Sequence, residues 1–122
     1  MSNNRGFTLI ELLIVVVIIG ILSAIAIPKF SNTKDKAHIA AMKSDLRNLA
    51  TYEEQYAADN GGAYFGGSAT SGAPLQGFTP SQNVTINAIN VAGPPSSWTA
   101  TATHAQSPKL CDMTSGVITC LP

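Results

Sequence analysis

Charge is what this chain has least of. Only 11 % of its 122 residues are Asp, Glu, Lys or Arg, and from Gly61 onward one acid, Asp112, and one base, Lys109, remain. Seven bases balance seven acids, so net charge lends no support to a polyanion-binding role and no specific nucleic acid is expected. Cysteine is equally sparse: Cys111 and Cys120 stand alone, too far apart for a C-x-x-C redox centre and without a cluster of His or acid to make a metal site. His38 and His104 share no third ligand, and neither a Ser-His-acid set nor a glycine-rich phosphate loop can be assembled. These gaps argue against an enzyme, a cofactor site and a metal centre. There is no internal repeat, and the length suits one modest domain plus an appendage.

What is present is one long apolar run. "FTLIELLIVVVIIGILSAIAI", residues 7–27, holds a single charge, Glu11. Its 21 residues span roughly 31 Å as a helix at ~1.5 Å per residue, matching a hydrocarbon core about 30 Å thick. Soluble domains seldom bury a helix that is apolar on every face, so the run predicts a membrane-resident helix. A secretory signal is the rival reading, with Arg5 as its basic end, residues 12–22 as its apolar stretch and Ala24-Ile25-Ala26 as a small-x-small cleavage site. Glu11 fits poorly in such a stretch, and the helical pattern continues past Ala26.

Glu11 needs a physical reason. An acid near the middle of a membrane helix costs roughly 2.5–3.5 kcal/mol and is by default functional. Close to the helix start the cost falls, because the carboxylate reaches the interface and the N-terminal dipole favours it. A tolerated first-turn acid therefore competes with a functional one. The tolerated acid leaves unexplained the polar leader "MSNNRG" and its small, unhindered glycine.

Leader and run together, "MSNNRG" then "FTLIELLIVVVIIGILSAIAIPKF", resemble the N-terminus of type IV pilins and their pseudopilin relatives, strongly over residues 5–30 and more loosely to about 60. The resemblance implies an α+β pilin fold: a long N-terminal helix packed on a small antiparallel sheet. Its parts would be a leader (1–6), an apolar membrane and filament-core helix (7–28), an amphipathic helix of the head (29–60), and a loop and sheet closed by a disulfide (61–122). It further implies that a prepilin peptidase cuts between Gly6 and Phe7 and methylates the new Phe7 amine. In that family the acid at the position of Glu11 is thought to pair with the N-terminal amine of a neighbouring subunit, here that of Phe7. Physics supports such a pair, since an ammonium and a carboxylate, each costly alone in apolar surroundings, attract strongly at low dielectric. Registry is the expected benefit, more than net stability. Gly20 and Pro28 occupy positions between which pilin helices often unwind in the filament; Pro28 lacks an N–H, and Gly20 lowers helix propensity by about 1 kcal/mol relative to Ala. The implied partners are identical subunits, the peptidase, the pilus assembly machinery and, before assembly, the inner membrane; the implied destination is a filament on the cell surface.

Beyond Pro28 the pattern becomes amphipathic. Ile39, Met42, Leu46, Leu49 and Tyr56 recur at helical spacing with Glu53 interrupting, and Asn60-Gly61-Gly62 is a C-cap signal. Lys29, Lys34 and Lys36 face either lipid phosphates or acids of a neighbour such as Glu53, Glu54 or Asp59. Residues 61–82 read as a long loop with turns and room for a short strand or helix turn. Three strand-like runs follow: "NVTINAINV", with a phase shift around Ala88-Ile89 that hints at a bulge; "SWTATATH"; and "KLCDMTSGVITC", folding back at Thr114-Ser115-Gly116. Pro94-Pro95 separates the first two. Trp98, Ile86 and Leu110 are expected to pack on Leu46, Leu49 and Tyr56. The offset of Cys111 and Cys120 brackets the hairpin and suits a cross-strand disulfide, which resembles the closed C-terminal loop of many pilins. Three further functional classes stay open beside a filament subunit: a type II secretion pseudopilin, for whose head calcium site Asp112 alone is too little; a minor pilin; and a secreted binding module cut after Ala26.

Overall fold

The computed structural model describes residues 2–93 and 95–121. It contains one helix, α1 (Leu9–Asp59), and five strands: β1 (Gly67–Ala69), β2 (Val84–Val91), β3 (Ser97–His104), β4 (Ser107–Thr114) and β5 (Val117–Leu121). The chain divides into two compact units, Met1–Lys34 and Asp35–Pro122, and α1 runs through both. Pro94 of the expected Pro94-Pro95 separator lies outside the described residues.

In the first unit the helix starts at a capping box. The N–H and Oγ of Thr8 donate to Glu11 Oε2 at 2.7 and 2.8 Å, and the Glu11 N–H donates back to Thr8 Oγ1 at 3.3 Å. Orphan donors of the first turn are thereby satisfied. Helical structure continues without a break through Gly20 and Pro28.

The second unit holds the core. Its sheet is a meander in the order β1-β2-β3-β4-β5, every neighbouring pair antiparallel. Period-two alternation sends Val84, Ile86 and Ala88 of β2, Ala100, Ala102 and His104 of β3, and Cys111 and Met113 of β4 inward, onto Met42, Leu46 and Leu49 of the helix stripe. Trp98 and Tyr56 are only half-buried at the margin of this core.

Two expectations fail. No bulge occurs at Ala88-Ile89: β2 pairs with β3 in unbroken register from Val84↔His104 to Val91↔Ser97. The apparent phase shift comes from Ile89 and Val91, which are outward-facing and exposed. The register shift lies instead between β3 and β4 at Thr103/His104. Leu110 is not a core residue either; it stands opposite Thr103 and Leu121 on the outer face, while its neighbour Cys111 points inward. A one-residue step in a strand reverses the face, so hydrophobicity alone misassigned it.

The turns follow from local chemistry. Gly61 adopts φ 65°, and the Gly62 N–H donates to the Ala57 carbonyl at 2.8 Å, a Schellman closure of α1. Ser115-Gly116 joins β4 to β5 as a two-residue loop with both φ positive (51° and 80°), the primed geometry matched to strand twist. The long loop before β2 is organised by β1, by a small hairpin at Gln76-Gly77, and by Phe78, which is buried against the edge of Tyr52.

Candidate functional site

In the N-terminal unit the surface itself is the site. Every large apolar side chain from Phe7 to Ile27 is at least half exposed, from 50 % at Ile18 to 88 % at Leu9. Within this unit the segment buries nothing, and it is long and apolar enough to cross a membrane. Glu11 sits at its start. Both donor contacts from Thr8 fall on Oε2, which leaves Oε1 open to a further donor. Phe7, Glu11 and Leu12 line one shallow cavity, and Arg5, Gly6, Phe7 and Glu11 another. The Gly6–Phe7 peptide bond lies ahead of the helix, in chain without regular secondary structure, and both residues line that second cavity with the carboxylate. At Gly20 a Cβ would meet nothing, and Pro28 lies inside α1; both stand far from the sheet in sequence and bring no group into a cluster.

In the head, Cys111 and Cys120 form a disulfide between directly opposed residues of β4 and β5. Cys111 is fully buried, so the bond ties the edge strand to the core.

Two carboxylates of α1, Asp45 and Glu53, are structural. Asp45 accepts from the N–H and the Oγ of Ser81 at 2.9 Å each, fastening the long loop to α1 just before β2. Glu53 is fully buried; its Oε2 accepts the Phe65 N–H at 3.0 Å and its Oε1 has no partner. Burial, opposed by that hydrogen bond and aided by nearby Glu54, pushes its carboxyl up to about 7. Glu53 is thus unavailable to a neighbour's lysine, which corrects one of the contacts expected for Lys29, Lys34 and Lys36. Neither acid announces itself in sequence, although Glu53 falling on the apolar stripe was the available signal.

His38 and His104 do meet: their rings stack with centroids 3.9 Å apart and an interplanar angle of 29°. His104 Nδ1 accepts the Gln106 N–H at 3.1 Å, which leaves the ring proton on Nε2 in the neutral form and makes that face a poor metal ligand. Burial and, secondarily, the charge of His38 hold His104 below the usual imidazole range. Among the described residues no three His, Cys, Asp or Glu side chains are grouped to hold a metal ion. An open polar cleft of 440 Å³, lined by Asn48, Thr51, Tyr52, Gly77, Phe78 and Thr79, contains no acid, base or nucleophile set.

Comparison with known proteins points the same way as the N-terminal geometry. Residues 1–27 match the family described as the prokaryotic N-terminal methylation motif. The chain is 42 % identical over 58 residues to the type II secretion system core protein G of Pseudomonas aeruginosa, covering 48 % of this chain and 41 % of that protein. It is 50 % identical over 54 residues to the type IV major pilin protein PilA of Myxococcus xanthus, covering 44 % and 24 %. To the prepilin peptidase-dependent protein D of Escherichia coli it is 37 % identical over 92 residues, 75 % of this chain and 60 % of that one. The chain spans less than half the length of the first two of these relatives. No solved structure matches it.

Proposed function

We propose that this type IV pilin-like chain is the repeating structural subunit of an extracellular filament, polymerising through its apolar N-terminal helix. The observation that carries the reading is the exposed surface of residues 7–27, apolar on every side and interrupted only by Glu11. Such a surface has two stable environments, a bilayer before assembly and a bundle of its own copies afterwards. Burial favours the bundle over water by roughly 25 cal/mol per Å². A prepilin peptidase would cut between Gly6 and Phe7, ahead of the helix, and methylate the Phe7 amine. Gly20 and Pro28 would mark where the helix loosens on leaving the bilayer. The membrane-held precursor would belong to the inner membrane and the polymer to the cell surface, delivered by a pilus assembly machinery.

Glu11 then acts as the gauge of assembly. Its open Oε1 would receive the Phe7 ammonium of an adjoining copy, a contact that two apolar helices can make in one axial register only. Glu11→Ala should give a processed, membrane-held protein absent from sheared filaments; normal filament yield would sink the proposal. A second reading, a pseudopilin of type II secretion, is favoured by the match to core protein G. Against it, the one acid after Gly61, Asp112, is held by the Thr101 hydroxyl at 2.6 Å, and among the described residues no three acids are grouped as a calcium site would need. Sequencing the mature N-terminus separates both from a secreted module: methylated Phe7 supports assembly, Ile27 supports secretion.

A further inference from the structure

Within the second unit the bases and the free acid of α1 are not scattered. Lys36, Lys43, Arg47 and Glu54 are separated by seven, four and seven residues, so at ~3.6 residues per turn they lie along one flank of the helix, basic at one end and acidic at the other. Ala50 lies between Arg47 and Glu54 and keeps the flank low. The remaining acids of the unit are mostly spoken for. Asp45 and Glu53 are buried, Asp112 is bound by Thr101, and Asp35 accepts from Ser107 at 3.5 Å. Of the two carboxylates left exposed, Asp59 falls about 140° around the helix from the flank and Glu54 lies on it.

Glu54 also opens onto a cleft. Ala50, Glu54, Ser97, Trp98, Ser115 and Gly116 enclose 300 Å³ between the helix and the ends of β3 and β4. The Tyr64 hydroxyl donates to Glu54 Oε1 at 3.3 Å, and the Tyr64 and Trp98 rings lie 6.5 Å apart. A carboxylate beside a half-buried indole is the pairing that receives a planar cation, by a charge-assisted hydrogen bond on one side and the ring face on the other.

We propose that this cleft receives the Arg47 guanidinium of a second copy of the chain, lying parallel and displaced along α1 by seven residues, about 10 Å. The inference rests on the filament reading and adds to it a second register contact, made by the heads. Arginine suits the site better than lysine because its flat, forked head can stack on Trp98 while bonding Glu54. The same displacement sets Lys43 level with Ala50, where there is room. It brings Lys36 level with Lys43, a repulsion between long solvated chains that screening keeps small.

Charge reversal tests it on the full chain, in cells that hold a pilus assembly machinery, with the unaltered chain alongside. Glu54→Arg and Arg47→Glu alone should each lower sheared-filament yield roughly tenfold, while the double variant, which restores opposite charges in every contact, should recover most of it. An unchanged melting midpoint and an intact Cys111–Cys120 bond would show that each variant folds. Wild-type yield from either single variant, or no recovery in the double, overturns the contact and leaves the filament reading standing. Absence of filaments from the unaltered chain overturns both. A filament image in which no neighbouring copies are displaced by about 10 Å along α1 also refutes it.

Discussion

Glu53 offers a direct handle on the head. It is fully buried, one oxygen is bonded to the Phe65 N–H and the other to nothing, and its carboxyl sits at about 7 against an ordinary 4.5. Because the folded value lies above the unfolded one, the protonated carboxyl contributes fully below pH 4.5, and that contribution is lost as pH rises to about 7. The full difference corresponds to ~3 kcal/mol, and relaxation of the surroundings around the charged form reduces it to ~1–2 kcal/mol. Glu53→Gln keeps the acceptor for Phe65 and removes the charge. It should therefore match the wild type near pH 4.5 and exceed it at pH 8.5 by ~1–2 kcal/mol, a Tm gain of roughly 5–10 °C. Melting the detergent-held chain by Trp98 emission across that range, with the difference between the two proteins plotted against pH, reads the effect. A difference that does not change with pH would refute the reasoning, and so would one that grows toward acid.

His104 should act with the opposite sign: its value is depressed, so stability is present above pH 6.5 and falls as acid protonates it, and His38→Gln should soften that fall in the same melts. Reducing the Cys111–Cys120 bond closes off a short loop's constraint worth about 2.5–3 kcal/mol in the entropy model, measurable as a lower denaturant midpoint with reductant than without. Asp45→Ala strands two donors of Ser81 and should cost ~2–3 kcal/mol, whereas Leu110→Ala, on the outer face, should cost under about 1 kcal/mol; chemical denaturation ranks the two.

Much of this molecule was legible because the periodicities are clean. The amphipathic stripe from Ile39 to Tyr56, the Gly61-Gly62 stop and the alternation of "SWTATATH" each dictate one local answer, and β3 runs over those same eight residues, Ser97–His104. The errors arose where side-chain identity and position disagree. Ile89 and Leu110 are apolar yet face outward, because the strand's period outranks the preference of one residue. Asp45 and Glu53 are charged yet face inward, because a loop far along the chain supplies Ser81 and the Phe65 N–H as partners, and such long-range pairing leaves no local trace. Phe65 and Phe78 were missed as core residues for the same reason: a Gly- and Ser-rich context hides an anchor that only the folded loop reveals. At the N-terminus the sequence showed an isolated acid, and the Thr8 partner that shares it comes from the spacing T-x-x-E, which the apolar run had overshadowed.

That shared hydrogen bond sharpens what Glu11 is for. If the carboxylate served only to close the first turn of α1, its loss would cost about 1 kcal/mol of helix stability and nothing specific to polymerisation. If it meets a neighbour's amine, its charge is what matters, and the Thr8 contacts on Oε2 merely hold Oε1 in place. Two substitutions part these roles where Glu11→Ala cannot. Glu11→Gln keeps a capping-box side chain and deletes the charge; Thr8→Ala deletes the hydroxyl and keeps the charge. Processing at Gly6–Phe7 is scored first, from the N-terminus of membrane-held protein, so that peptidase failure is not mistaken for assembly failure. Among processed subunits, Glu11→Gln should be absent from sheared filaments and Thr8→Ala should enter them at near wild-type yield. The reverse pattern would make Glu11 a helix cap and nothing more, and the gauge would have to be sought elsewhere on the chain.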